Sequence, residues 1–335
     1  MIQQAALTVE SQWQKELKQC FTRPEDLYRY LELDSKNREA DAQARRLFAM
    51  RVPRPFAALM QKGDDNDPLL LQVLPNRQEF IQLPNYVADP LEEQETPVPG
   101  LLHKYKSRVL ILFRTGCAVN CRYCFRRHFP YTDNQVNKAK LETHLGYIAD
   151  KPEINEVILS GGDPLMAKDE HIAWFVEQLD KIPHVTRLRI HSRLPVVLPS
   201  RLTAELQSLL TQSRLKAVLV LHINHANEIS PQLKRQTQAY KRAGIWVLNQ
   251  AVLLKGINDN VQQQVQLSEA LFDGDIQPYY LHLLDKVAGA SHFDMPEADA
   301  LKLYREMMTE LPGFLLPRLV REIGGEASKT PLLPY

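Results

Sequence analysis

From Arg108 onward the chain repeats one pattern, a short apolar run followed by a polar amphipathic stretch. The runs are RVLILF from Arg108, EVILSG from Glu156, RLRIHS from Arg187, AVLVLHI from Ala217, IWVLNQAVLL from Ile245 and IQPYYLHLL from Ile276. After a longer first interval they recur about every 30 residues, the length of one strand and one crossover helix. Runs that are apolar on both faces predict strands buried in a parallel sheet, and six of them predict a partial (β/α)6 barrel over 107–335. Upstream the period changes. Trp13, Leu17, Cys20 and Phe21, then Leu27, Tyr30 and Leu31, recur at helical spacing and predict a small helical region over 1–62, broken near its end by Pro53 and Pro55. Over 63–106, DDNDP, two copies of LPN, DP and PVP are too many breakers for a long regular element, so this stretch is expected as an extended arm on the core. In parallel α/β folds chemistry gathers at the C-terminal ends of strands. The polar residues there are Cys117, Ser160 to Asp163, His191 to Arg193, His222, His225, Asn249, Gln250 and Asp285.

Composition narrows the class without naming it. At 335 residues, 44% hydrophobic and 24% charged, the chain is globular and neither disordered nor a disulfide scaffold. Its 41 Lys+Arg and 40 Asp+Glu leave a net charge of +1, which argues against capture of the whole protein by nucleic acid or an anionic membrane. No apolar run approaches the ~18–20 residues of a membrane span, and the first residues lack the apolar core of a secretory signal. The expectation is a cytoplasmic protein. Three of the four cysteines, Cys117, Cys121 and Cys124, crowd into eight residues, while Cys20 stands apart.

CAVNCRYC, a C-x3-C-x2-C on the loop after the first apolar run, is the sharpest chemical signal. Three thiolates can hold three irons of a [4Fe–4S] cluster and leave the fourth open to a substrate, whereas electron-transfer clusters usually take four cysteines. A structural zinc with His128 as fourth ligand is the competing reading. Arg122, Arg126, Arg127 and His128 form a basic run that could face solvent or RNA. SGGDP (Ser160 to Pro164) taken alone is an ordinary turn, and Lys329 taken alone is a solvated lysine.

The cysteine motif with Tyr123 before its last thiol resembles the radical S-adenosylmethionine superfamily. DPLEEQETPVPGLLHKYKSRVLILFRTGCAVNCRYCFRRHF, EVILSGGDPL, HSRLPVVLP, LHINHANEI, NQAVLLKGIND, QPYYLHLLD and GGEASKTP then occur in the order found in lysine 2,3-aminomutases. The likeness spans Arg51 to Pro331. It is to the short branch that makes β-lysine for elongation factor P, since the chain stops soon after KTP.

The resemblance implies a site. Cys117, Cys121 and Cys124 would hold the [4Fe–4S] cluster; Ser160, Gly161, Gly162, Asp163, His222 and Gln250 would contact S-adenosylmethionine. Lys329 matches the lysine that forms the internal aldimine with pyridoxal 5′-phosphate, and Arg108, assisted by Lys104, matches a phosphate-binding arginine. Arg126 matches the arginine that clamps the substrate α-carboxylate. Asp285 and Glu322 match the acids that meet the ammonium of L-lysine, although relatives carry aspartate where Glu322 stands and His282 replaces an expected tyrosine. The zinc-binding C-terminal extension of longer relatives has no counterpart here. The implied reaction is reductive cleavage of S-adenosylmethionine, hydrogen abstraction from C3 of lysine and migration of nitrogen from C2 to C3, giving β-lysine in the (R) form. An external one-electron reductant, and a functional link to elongation factor P and its ligase, come with it. Neither a membrane nor a nucleic acid is an expected partner. The alternatives are an aminomutase for glutamate or arginine, a radical enzyme acting on RNA, and a non-enzymatic iron–sulfur or zinc protein.

Overall fold

The computed structural model describes residues 10–34, 38–93, 98–130 and 136–333, so parts of the expected helical region (1–9 and 35–37) and of the arm (94–97) lie outside the described residues. Short helices open the chain: α1 (Gln12–Lys18), α2 (Pro24–Tyr30), α3 (Glu39–Gln43) and α4 (Arg54–Ala57). Proline at the first turn of α2 and α4 is where a missing N–H does no harm. α5 (Pro68–Leu71) follows, its first turn capped by Asp67, whose carboxylate accepts from Leu69 N at 2.8 Å and Leu70 N at 2.9 Å. A single turn of 3-10 helix, Arg77–Phe80, comes next. The stretch expected as an extended arm thus contains two short helical pieces and, at its end, a strand.

That strand, β1 (Leu101–Tyr105), turns back and pairs antiparallel with β2 (Arg108–Arg114). β3 (Glu156–Gly161), β4 (Arg187–Ser192), β5 (Lys216–Leu221), β6 (Trp246–Val252) and β7 (Gln277–His282) then add in parallel, each beside its predecessor. All six apolar runs are strands. The crossovers carry α6 (Lys138–Ala149), α7 (Asp169–Leu179), α8 (Leu194–Val197) with α9 (Ala204–Gln212), α10 (Pro231–Arg242) and α11 (Val261–Asp273). Asn137, Thr203, Ser230 and Asn260 cap α6, α9, α10 and α11 through their side chains. α12 (Glu297–Glu310) leads to a seventh parallel strand, β8 (Arg318–Arg321), and β9 (Thr330–Pro331) closes that edge antiparallel.

The sheet runs β1 to β9 in chain order, and its two ends are brought together. Lys104 and Tyr105 on β1 reach Glu322, just past β8, at 3.9 and 3.3 Å. Only a curled sheet, a partial barrel, lets opposite edges touch in this way. Its outer face packs on the helices through one contiguous apolar core that includes Ile111, Leu159, Ile190 and Leu219, with Trp13, Leu27, Leu31 and Phe56 of the N-terminal helices in the same core. Along β4 the residues alternate: Leu188, Ile190 and Ser192 are buried, whereas Arg187, Arg189 and His191 are partly accessible. Among the described residues no helix is long and apolar enough to cross a membrane.

Candidate active site

The cysteine loop leaves the C-terminal end of β2 and is held by the arm and the N-terminal region. Arg51 donates to Cys117 O at 3.1 Å and accepts from Asn120 N at 3.1 Å, while Arg122 N donates to Gln72 O at 2.8 Å. Inside the loop Arg122 is fully buried; its Nε meets Glu79 Oε1 at 2.8 Å and its Nη2 meets Glu79 Oε2 at 2.5 Å. Arg127 Nη2 shares Glu79 Oε2 at 2.6 Å. Arg126 is also buried, so three cations of the basic run are internal fastenings and cannot form a surface for RNA.

Burial pushes the Cys117 thiol well up from its ordinary pKa, and the Asp163 carboxylate and the other two thiols add to the effect. Burial likewise raises Cys124, to about 11. Three neighbouring, partly buried thiols that repel one another as anions suit a strongly cationic iron centre, which deprotonates its ligands. No group of three or more His, Cys, Asp or Glu side chains among the described residues is arranged to hold one metal ion, and His128 Nε2 lies 3.0 Å from Ala288 O.

The end of β3 lies directly against this loop. A Cβ on Gly161, whose φ is +116°, would fall 2.6 Å from Arg114 O, and one on Gly162 would fall 2.7 Å from Gly116 O. Both glycines are required by close approach. The Asp163 carboxylate accepts from Ser192 Oγ at 2.7 Å, Arg193 N and Leu194 N at 2.8 Å, and Leu165 N at 3.0 Å. It ties the end of β3 to the end of β4. Ser160 Oγ accepts from Arg126 Nη1 at 3.1 Å.

From Arg126 a chain of opposite charges crosses the lumen. Arg126 Nε donates to Glu93 Oε2 at 2.6 Å, and Lys104 Nζ donates to Glu93 Oε1 at 3.1 Å. Lys104 also lies 3.9 Å from Glu322, which accepts from Tyr105 OH and pairs with Lys329. Burial would raise the Glu93 and Glu322 carboxyls, but Arg126 and Lys104 around Glu93, and Lys329 and Lys104 around Glu322, outweigh it and lower both. Asp285, after β7, behaves oppositely: burial and then the charge of Glu322 push it up to about 7 despite Lys329. Arg108 sits at the start of β2 with its guanidinium 3.9 Å from the Tyr105 ring centroid, and so borders the same group.

Deeper in the lumen His191, His222 and His282 come together. Burial lowers all three pKa values, His222 to about 3 with help from the charges of Arg193 and Arg126. Gln250 Nε2 and His222 Nε2 are 3.0 Å apart, joining the ends of β5 and β6. His191 Nε2 and His282 Nε2 are buried without a hydrogen-bond partner, as expected of groups that meet a ligand.

The residues singled out in the sequence therefore form one connected region: the cysteine loop, the Ser160–Asp163 turn, the Arg126-to-Lys329 charge chain with Arg108 and Asp285 beside it, and His222 with Gln250. Sequence reasoning passed over Glu79, Glu93, Tyr105 and Glu228. Glu93 stands in the DPLEEQ run that carries part of the family likeness, which was a usable signal; Glu79 has no local signal.

The family model described as "Radical SAM superfamily" matches residues 111–265. The chain is 52% identical to the L-lysine 2,3-aminomutase of Escherichia coli (strain K12), over 96% of this chain and 94% of the relative. It is 48% identical to the L-lysine 2,3-aminomutase of Haemophilus influenzae, over 98% of this chain and 97% of the relative. Among solved structures, a radical SAM methyltransferase from Sphaerobacter thermophilus aligns with a TM-score of 0.49 at 15% identity, over 70% of this chain and 73% of that one.

Proposed function

The chain belongs to the lysine 2,3-aminomutase family of the radical SAM superfamily, and on that premise we propose that it is an isomerase that moves the amino group of L-lysine from C2 to C3, giving β-lysine in the (R) form. The observation that carries the reading is the run of paired charges from Arg126, beside the cysteine loop, to Lys329 near the far edge of the sheet. On this reading the run supplies a guanidinium for a carboxylate, acids for a distant ammonium and an amine nucleophile. An amino acid with a cationic end needs these groups together.

The family implies a [4Fe–4S] cluster with S-adenosylmethionine, and pyridoxal 5′-phosphate accompanies the aminomutase reading; when bound, these supply the one-electron bond cleavage and the stabilised amine shift that side chains cannot. Cys117, Cys121 and Cys124 would hold the cluster. Ser160, Gly161, Gly162 and Asp163 would border its open side, with His222 and Gln250 toward the nucleoside. Neutral histidines suit this role, since they offer hydrogen bonds without adding charge.

Arg126 binds the substrate carboxylate in a fixed direction because Glu93 and Ser160 hold its fork. Asp285 and Glu322 receive the substrate ammonium. Lys329 would hold the pyridoxal group, with Arg108 and Lys104 for its phosphate. Before Lys329 can act as an amine it must leave Glu322 and lose the proton on Nζ.

The same reading places the reaction in the cytoplasm, where thiols stay reduced, gives it an external one-electron donor, and makes elongation factor P and its ligase the users of the product. The test is anaerobic reconstitution with pyridoxal phosphate, S-adenosylmethionine, reductant and 13C-labelled L-lysine, followed by NMR. A β-amino acid that disappears in Cys121→Ala and in Lys329→Ala is the expected result. Cleavage of S-adenosylmethionine with lysine unchanged would remove the substrate assignment.

A further inference from the structure

Behind the cysteine loop lies a buried polar cluster that binding of substrate and cofactors leaves unused. Arg193, at the end of β4, has a side chain only 5% exposed, and its Nη1 donates to Cys121 Sγ at 3.3 Å. Its Nη2 donates to Gln72 Oε1 at 2.8 Å and to Glu228 Oε2 at 3.0 Å. Gln72 is fixed in turn, donating to Glu228 Oε1 at 3.1 Å and accepting from Asn224 Nδ2 at 2.9 Å. Asn224 also donates to the hydroxyl of Tyr123, the aromatic of the cysteine motif, at 2.7 Å. The backbone N–H of Arg193 is held by Asp163 at 2.8 Å. The guanidinium is thus clamped by the arm and by the turn after β5, its backbone is held by the turn after β3, and one edge is aimed at a sulfur.

We infer that Arg193 sets the reduction potential of the cluster on Cys117, Cys121 and Cys124 through its hydrogen bond to Cys121, and that Glu228 moderates this effect. Hydrogen bonds to cluster sulfurs and nearby charge are the main protein levers on such potentials. Reduction adds one electron, taken from an external donor, to a centre surrounded by thiolates; no bond or proton at Arg193 need change. A fixed positive charge at hydrogen-bond distance stabilises the added electron, and low-dielectric surroundings enlarge the effect. Glu228, on the other side of the guanidinium and fully buried, opposes it. A guanidinium serving only to neutralise Glu228 would have no need to present Nη1 to sulfur.

The inference rests on the cysteines carrying an iron–sulfur cluster, and its test separates the two. The full-length chain is reconstituted anaerobically with iron and sulfide, and the cluster is titrated with dithionite while its paramagnetic signal is followed, without substrate. Arg193→Gln should lower the potential by at least tenfold in the reduction equilibrium, about 59 mV for a one-electron couple. Glu228→Gln, which keeps the arginine and its sulfur contact, should raise it. Unmoved potentials at full iron and sulfide content overturn the inference and leave the aminomutase reading standing. A wild-type chain that takes up no iron and sulfide overturns both. Where Arg193→Gln fails to hold its cluster, Glu228→Gln decides alone: an upward shift supports the assignment and an unchanged potential removes it.

Discussion

Asp285 is a costly place for a negative charge, since burial and the neighbouring Glu322 raise its pKa from 3.8 to about 7. Between those values the folded chain keeps a proton that the unfolded chain has lost, so stability falls as pH climbs from about 4 to about 7 and levels off above. Asp285→Asn should therefore melt higher than wild type at pH 8, with the advantage fading toward pH 4. A gain independent of pH would refute this account. In the proposed reaction an arriving ammonium offsets the cost, so the same variant should lose lysine turnover while its cluster and pyridoxal spectra remain. The lysine KM of the wild type should rise as pH falls below about 7, where Asp285 takes up its proton. Glu93 is tested differently, because it touches Arg126 and Lys104. Glu93→Gln should cut kcat/KM by about tenfold or more, equivalent to ~1.4 kcal/mol, mainly through KM for lysine. An unchanged KM would mean that Arg126 needs no such support.

At the scale of elements, the site depends on two packed contacts between segments distant in sequence. One is the Arg77–Phe80 turn against the cysteine loop, where Glu79 faces Arg122 and Arg127. Removing one partner of a buried ion pair typically costs ~3–5 kcal/mol because the other charge stays buried. Glu79→Ala should show a loss of that order in denaturant unfolding, together with poor retention of iron; a loss below about 1 kcal/mol would mean the loop is held by other contacts. The other contact is the Ser160–Asp163 turn against Gly116. Gly162→Ala places a methyl 2.7 Å from Gly116 O and should impair cluster uptake while helix content by circular dichroism stays the same. The six strands β2 to β7 were legible because each holds a short apolar or alternating run, recurring about every 30 residues after a longer first interval. β8, four residues reading RLVR, and β9, of two residues, carry no such pattern and exist through pairing alone. The cysteines and the Gly-Gly turn are local in sequence and could be read there. Glu93 and Glu228 lie in runs that carry the family likeness, but Glu79 lies in none, since an acid there acquires its role only when folding brings Arg122 and Arg127 to it.

For the whole molecule, the curled sheet and its N-terminal cover are one body, and the path of the arm explains why. The chain packs Trp13 under Arg201, its ring centroid 4.8 Å from the guanidinium, runs past the cysteine loop at Gln72 and Glu79, and bonds Tyr86 OH to Asp294 at 2.6 Å. It then bridges Val87 to Val287 beyond β7 before returning to Arg126 through Glu93. The strap thus spans the mouth of the barrel and links both sides of the opening. Trp13, Leu27, Leu31 and Phe56 are buried in the same core as the strands. Each such side chain contributes ~1.5–3 kcal/mol on burial, and domains hold a net stability of only ~5–15 kcal/mol. Deleting residues 1–62 removes these four together with the Arg51 clamp on Cys117 and Asn120. The shortened chain should therefore fail to accumulate in folded form, and the intact chain should unfold in one transition, with tryptophan fluorescence and circular dichroism superimposing. A folded, cluster-binding product of the deletion, or two separated transitions in the intact chain, would show that the barrel stands without its cover.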